Sequence, residues 1–156
     1  MATQVRPELG QFSSIVCFKA LITGIEDSLG EKATAIALIA AGRARGKKLA
    51  QDLGLAGSQM SLDEAAAKLS QALGKDGTRL CKVDKITQQG DVIKVYTSET
   101  ICSANEPEGS SRKCTFTLGA IWGALEQLIG KRLHGKHTES VLRGSSHDIF
   151  EFTPMG

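Results

Sequence analysis

The sequence has 156 residues, of which 41% are hydrophobic and 23% charged, the balance of one globular domain with a core large enough to fold unaided. A net charge of +2 and an aromatic content of 4% give no support to nucleic-acid binding, through either phosphate neutralisation or base stacking. No apolar run approaches the ~20 residues that cross a bilayer, so no transmembrane segment is expected.

In chain order, "MATQVRPELGQF" lacks the charged-then-apolar layout of a signal peptide and reads as a frayed start, which predicts a cytoplasmic protein. "FSSIVCFKALITGIEDSLG" places Ile15, Phe18, Leu21, Ile22 and Ile25 at helical spacing and predicts a first helix closing near Gly24 or Gly30. "EKATAIALIAAGRARGKKLAQDLGL" predicts a long helix, apolar through Ile36, Ile39, Ala40, Leu49 and Leu53, with Gly54 as its stop. "SLDEAAAKLSQALG" predicts a third helix opened by a capping box at Ser61 and Glu64 and closed at Gly74.

Beyond Gly77 the period changes from helical to alternating. "TRLCKVDKI" and "DVIKVYTSE", separated by "TQQG", predict a β-hairpin. After the polar loop "CSANEPEGSSRK", "CTFTLGAIWGALEQLIGKRL" predicts an amphipathic helix with Leu118, Ile121, Trp122, Leu125 and Leu128 on one face and its end at Gly130. "HGKHTESVL" and "HDIFEF", joined by "RGSS", predict a second hairpin. The order α-α-α-β-β-α-β-β defines an α+β domain with helices packed on an antiparallel four-stranded sheet made of two hairpins.

Two pairs of glycines stand out. Gly42 and Gly46, like Gly119 and Gly123, lie four apart and share a helix face. An interior helical glycine costs about 1 kcal/mol against alanine, so something must offset it. Close helix packing, on the sheet or on a second subunit, is one reading, and a ligand tunnel opened by the missing side chains is the other. In the second, Ile36, Ile39, Gly42, Gly46, Leu118, Gly119, Trp122 and Gly123 would line an apolar pocket between the two helices.

The basic runs "GRARGKK" and "GKRLHGKH" read as solvated helix ends. The first is not a phosphate loop: three residues rather than four separate its glycines, and Lys48 stands where a hydroxyl residue is required. Cys17, Cys81, Cys102 and Cys114 form no CxxC pair, and a reduced state is expected. His134 and His137 would point to opposite faces of a strand, and with His147 they have no regular ligand spacing. Neither a metal site nor Cys–His catalysis is marked locally.

The features "AAGRARGKKLAQDLG", "CTFTLGAIWGALEQLIGKRL" and "HTESVLRGSSHDIFEF" together resemble the 4-vinyl reductase domain, a module related to the Bet-type subunits of the TRAPP vesicle-tethering complex. The pattern spans residues 35–154, leaving 1–34 as an N-terminal helical extension of a single domain covering 1–156. The resemblance implies a dimeric α+β fold enclosing a pocket for apolar molecules, with relatives in sensing and in tetrapyrrole metabolism. Relatives with a metal site carry cysteines in the last hairpin, where this chain has Leu142 and Phe150. Cys102, Cys114 and Glu139 remain as partial ligands, and no zinc or other cofactor is expected. The resulting expectation is a non-catalytic homodimeric module for an apolar or lipid-like ligand. The alternatives are a TRAPP-type scaffold subunit and an accessory factor of tetrapyrrole or chlorophyll metabolism.

Overall fold

The computed structural model describes residues 6–9 and 14–156. Most of the stretch expected to be a frayed start, and Phe12 of the first helical signal, lie outside the described residues. Four α-helices, α1 (Ile15–Leu29), α2 (Glu31–Asp52), α3 (Leu62–Leu73) and α4 (Phe116–Ile129), combine with strands β1 (Lys82–Gln89), β2 (Val92–Ser98), β3 (Leu133–Glu139) and β4 (Asp148–Pro154). The sheet is antiparallel throughout, in the order β1-β2-β4-β3. The two hairpins therefore join through β2 and β4, giving the α+β arrangement the sequence predicts.

Local signals account for the ends of these elements. Ser14 caps α1, its hydroxyl accepting from the Val16 N–H, and the helix runs through Gly24 to a stop at Gly30. The capping box on α3 is complete: the Ser61 hydroxyl accepts from the Glu64 N–H, and the Glu64 carboxylate accepts from the Ser61 N–H. Gly130 closes α4 with φ +72°, a left-handed conformation that glycine adopts without strain.

Three expectations are corrected. The first hairpin turns at Gly90 and Asp91, not over "TQQG", because Gly90 supplies the positive φ and β1 stays paired through Gln89. The strand expected over "HGKHTESVL" stops at Glu139. Val141–Arg143 form a 3-10 turn, capped by the Ser140 hydroxyl accepting from the Leu142 N–H. Helix α4 is not amphipathic in effect. Thr117 through Ile121, Gly123 to Leu125 and Leu128 are all buried, since α2 covers one side and the sheet the other.

The α2–α4 contact explains the glycines. A Cβ on Gly42 would meet the Ala120 nitrogen at 2.9 Å, one on Gly119 the Arg43 nitrogen at 3.0 Å, and one on Gly123 the Lys47 nitrogen at 2.9 Å. Gly46 faces the backbone of Ala120 in the same way. Main chain thus lies on main chain, and the room left by the four missing side chains is taken by the opposite helix. The buried face of α2 is its glycine face, with Thr34, Leu49 and Ala50. Ile36, expected on the apolar stripe, is 66% exposed.

Beneath α4, the pleat puts alternate residues of each strand inward. Ile93 pairs with Phe152, Val95 with Phe150 and Thr97 with Asp148, so these three rows form one inward column. Phe150 and Phe152 are fully buried with Ile121, Leu125 and Leu133. Trp122 reaches over Phe152, its indole N–H donating to the Leu133 carbonyl at 2.9 Å.

The two kinds of helical glycine make opposite expectations. Gly123→Ala should lower stability by ~1–3 kcal/mol through overpacking against α2. Gly24→Ala, where nothing lies within 4 Å of the added Cβ, should raise it by ~0.5–1 kcal/mol. Urea denaturation of the two variants beside the parent protein checks both signs.

Candidate functional site

The inward column ends in polar chemistry. Asp148 is 1% exposed, at the edge of the apolar floor formed by Phe150 and Phe152. A carboxylate placed there must be satisfied by nearby donors. Its Oδ2 accepts from the Thr100 hydroxyl at 2.8 Å, and its Oδ1 accepts from the Val141 N–H at 3.3 Å and meets His137 Nε2 at 3.2 Å. The Cys114 N–H donates to His137 Nδ1 at 3.3 Å, which fixes the tautomer: Nδ1 accepts, so Nε2 carries the proton and donates to Asp148. Burial by itself would raise the Asp148 pKa. The hydrogen bonds from His137, Thr100 and Val141 outweigh it and hold the carboxyl below its ordinary range, as an anion.

Cys102 and Cys114 complete the cluster. They are joined as a disulfide with Cα atoms 5.2 Å apart, so the reduced state expected from the spacing is corrected for this pair. They lie twelve positions apart in sequence, and only the return of the loop from β2 to α4 brings them together. The atoms that Cys102, Cys114 and Asp148 would offer a cation lie within 4.8 Å of one another. With both sulfurs consumed by the disulfide, two thiolates arise only on reduction. Glu139 is not part of this group: it is exposed, and its carboxylate accepts from the Ser145 hydroxyl at 3.3 Å. Asp148 takes the acidic position expected of Glu139.

His134 lies outside, edge-on to Trp122 at 6.2 Å, and His147 faces Asp84 at 3.4 Å. Odd spacing along β3 does separate His134 from His137, as expected. Nothing in the spacing marks His137, whose side chain is 3% exposed, as the buried one.

The loop closed by the disulfide is strapped to α1. Lys19 Nζ donates to the Ala104 carbonyl at 2.7 Å and pairs with Glu106 at 2.9 Å. Arg112 pairs with Glu26 at 2.7 Å and with Glu106. Burial raises the Glu106 pKa, but hydrogen bonds from Lys19, Ser110 and Arg112 reverse this and bring the carboxyl down to about 2.

Under this strap lies a recess of about 10 Å³, room for roughly one water, lined by Ile22, Ile101, Cys102, Phe116 and Thr117. Thr117 is 1% exposed, and its Oγ1 is buried without a hydrogen-bond partner among the described residues. Phe18 of α1 meets Phe116 edge-to-face at 5.3 Å beside it. Leu118 is buried but does not line the recess, and Ile36 and Ile39 lie on α2.

The chain matches no family model and no curated protein. Its likeness is to solved structures. The phenol-responsive sensory domain of the transcription activator PoxR, solved with phenol, superposes with a TM-score of 0.66 at 15% identity. The match covers 92% of this chain and 76% of that one. A trafficking protein particle complex subunit 3 from Naegleria fowleri, covalently bound to palmitic acid, superposes at 0.62 and 15% identity over 91% of this chain and 93% of that one. These likenesses define the fold, that of the PoxR sensory domain and the TRAPP subunit. Among the described residues, no helix is long and apolar enough to cross a membrane.

Two measurements check the cluster. Alkylation after denaturation without reductant should label Cys17 and Cys81 only, and with reductant all four cysteines. In the native fold Cys17 is exposed and should react first. Burial, helped by the charges of Asp84 and Asp148, pushes the Cys81 thiol up to about 12 and keeps it inert. For Glu106, a depressed folded-state pKa contributes stability above the ordinary carboxylate value of 4.5, and that contribution is lost as pH falls toward about 2. Glu106→Gln should therefore be less stable than the parent at neutral pH, with the gap closing across that window in urea titrations.

Proposed function

We propose that this chain is a non-catalytic module that binds an apolar small molecule beneath α1, acting as a sensor or carrier. The observation that carries the reading is the Thr117 hydroxyl, unpartnered among the described residues, at a recess lined by Ile22, Ile101 and Phe116 together with Lys19 and Arg112. A buried hydroxyl without a partner loses ~1–3 kcal/mol, a penalty that a ligand with a polar tip would relieve. The recess holds about 10 Å³, too little for a phenol, so binding requires α1 to lift. That helix is suited to the motion, since Ile22 is its one buried side chain and, apart from Phe18 on Phe116, ion pairs and the Lys19 hydrogen bond hold it down. The glycine pairs Gly42–Gly46 and Gly119–Gly123 then hold α2 on α4, and neither they nor Ile36, Ile39 and Trp122 line the recess. Fold neighbours solved with phenol and with palmitic acid support the ligand class.

A second reading is a homodimeric scaffold of the TRAPP type. Val16, Leu21 and Leu29 on α1 and Ile36 on α2 are exposed and apolar, a surface that a second subunit would cover.

Thr117→Val separates the readings. Removing the unpaired hydroxyl should stabilise the free protein by ~1–2 kcal/mol and weaken phenol binding about tenfold, while leaving palmitate binding less affected. Thermal melts and native mass spectrometry with phenol, palmitate and a porphyrin provide the measurement. No saturable binding of any of them, together with a dimer that Leu21→Glu dissociates, would favour the scaffold.

A further inference from the structure

The two basic runs of the sequence, which read as separate solvated helix ends, meet in the fold. "GRARGKK" lies within α2 rather than at its end, so a helix-terminal dipole does not account for it. Arg43 and Lys47 from that run face Lys131 and Arg132, which follow Gly130 at the end of α4. Together with Gln127 and Gly57 they line a cleft of about 570 Å³. We propose that this cleft is a binding site for a phosphate-bearing ligand, distinct from the apolar recess under α1.

The charge balance carries the argument. Glu126 is the one acidic residue lining the cleft, and it is already engaged: Oε1 accepts from Arg43 at 2.7 Å and Oε2 accepts from the Leu133 N–H at 2.9 Å. The Arg43 guanidinium is fixed a second time by stacking 4.5 Å over the Trp122 ring. Lys47, Lys131 and Arg132 have no ion-pair partner among the described residues, and all three are exposed. Three uncompensated cations thus converge on one cleft in a chain whose whole net charge is +2. The α4 C-terminus opposes them with about half a negative charge, too little to cancel three.

The geometry selects the ligand. An anion met by two lysines and an arginine fork on facing elements is best matched by a multiply charged phosphate, which offers several acceptor oxygens. The volume exceeds that of a lone phosphate, so the group is carried on a larger body. Gly57 and Gly130, at φ +66° and +72°, keep the rim free of side chains.

The test compares Lys47→Glu/Lys131→Glu with Lys32→Glu/Lys136→Glu, which makes the same change in net charge at exposed positions outside the cleft. Thermal melts confirm that both variants are folded. Calorimetry with pyrophosphate and inositol hexakisphosphate probes a soluble source. Co-sedimentation with phosphatidylcholine vesicles, with and without a phosphoinositide, probes a lipid headgroup. Saturable binding in either arm should weaken by about tenfold or more in the cleft variant, persist in the control variant and fall with added salt. Binding only to vesicles assigns the phosphate to a headgroup, and binding of the soluble phosphates assigns a free ligand. Equal losses in the two variants, or no binding in either arm, would overturn the proposal.

Discussion

The main-chain contact between α2 and α4 is the constraint from which the rest of the structure follows. Gly42, Gly46, Gly119 and Gly123 bring the two backbones so close that any Cβ would strike the opposite chain. The intrinsic helix penalty of four glycines, about 1 kcal/mol each, is offset by a contact in which dispersion acts between densely packed backbone atoms. Because α2 sits so near, α4 is covered on one side by backbone and on the other by the sheet. Its sequence is accordingly apolar almost all round.

This packing decides where a ligand can lie. The interior under α4 is filled by Phe150, Phe152, Ile121 and Leu125, so open space is left to the margins of the helix pair. At one margin α1 and the disulfide-closed loop roof the recess at Thr117. At another, the end of α4 and the middle of α2 bound the cationic cleft. The two sites differ in chemistry because one is enclosed between Ile22, Ile101 and Phe116 beneath the ionic strap and the other opens to solvent.

The buried polar cluster shows how the sheet sets the character of the first margin. The same pleat that turns Phe150 and Phe152 inward turns Asp148 inward as well, two residues earlier on β4. Its charge is retained through donors from Thr100, His137 and the Val141 N–H. The disulfide lies against this group and ties the α4 N-terminus to the loop that Lys19, Glu26, Glu106 and Arg112 fasten to α1. Covalent closure, a buried anion network and an ionic strap thus act on one end of the fold.

The sequence by itself determined the elements and their order. The capping box at Ser61 and Glu64, the helix stops at Gly30 and Gly130, and the change from a helical to an alternating period after Gly77 are local signals that reach only a few residues. The paired glycines also marked α2 and α4 for close approach. What approaches them was decided by tertiary structure, because a bare helix face accepts a backbone or a ligand equally well. The same holds for the site. Cys102 pairs with Cys114 only after the loop folds back, and Asp148 rather than Glu139 joins the cluster because the register shift between His137 and Glu139 breaks the inward alternation of β3 and leaves Glu139 exposed. Arg43 and Lys131 lie far apart in sequence, and their shared cleft exists only once α2 is laid across α4.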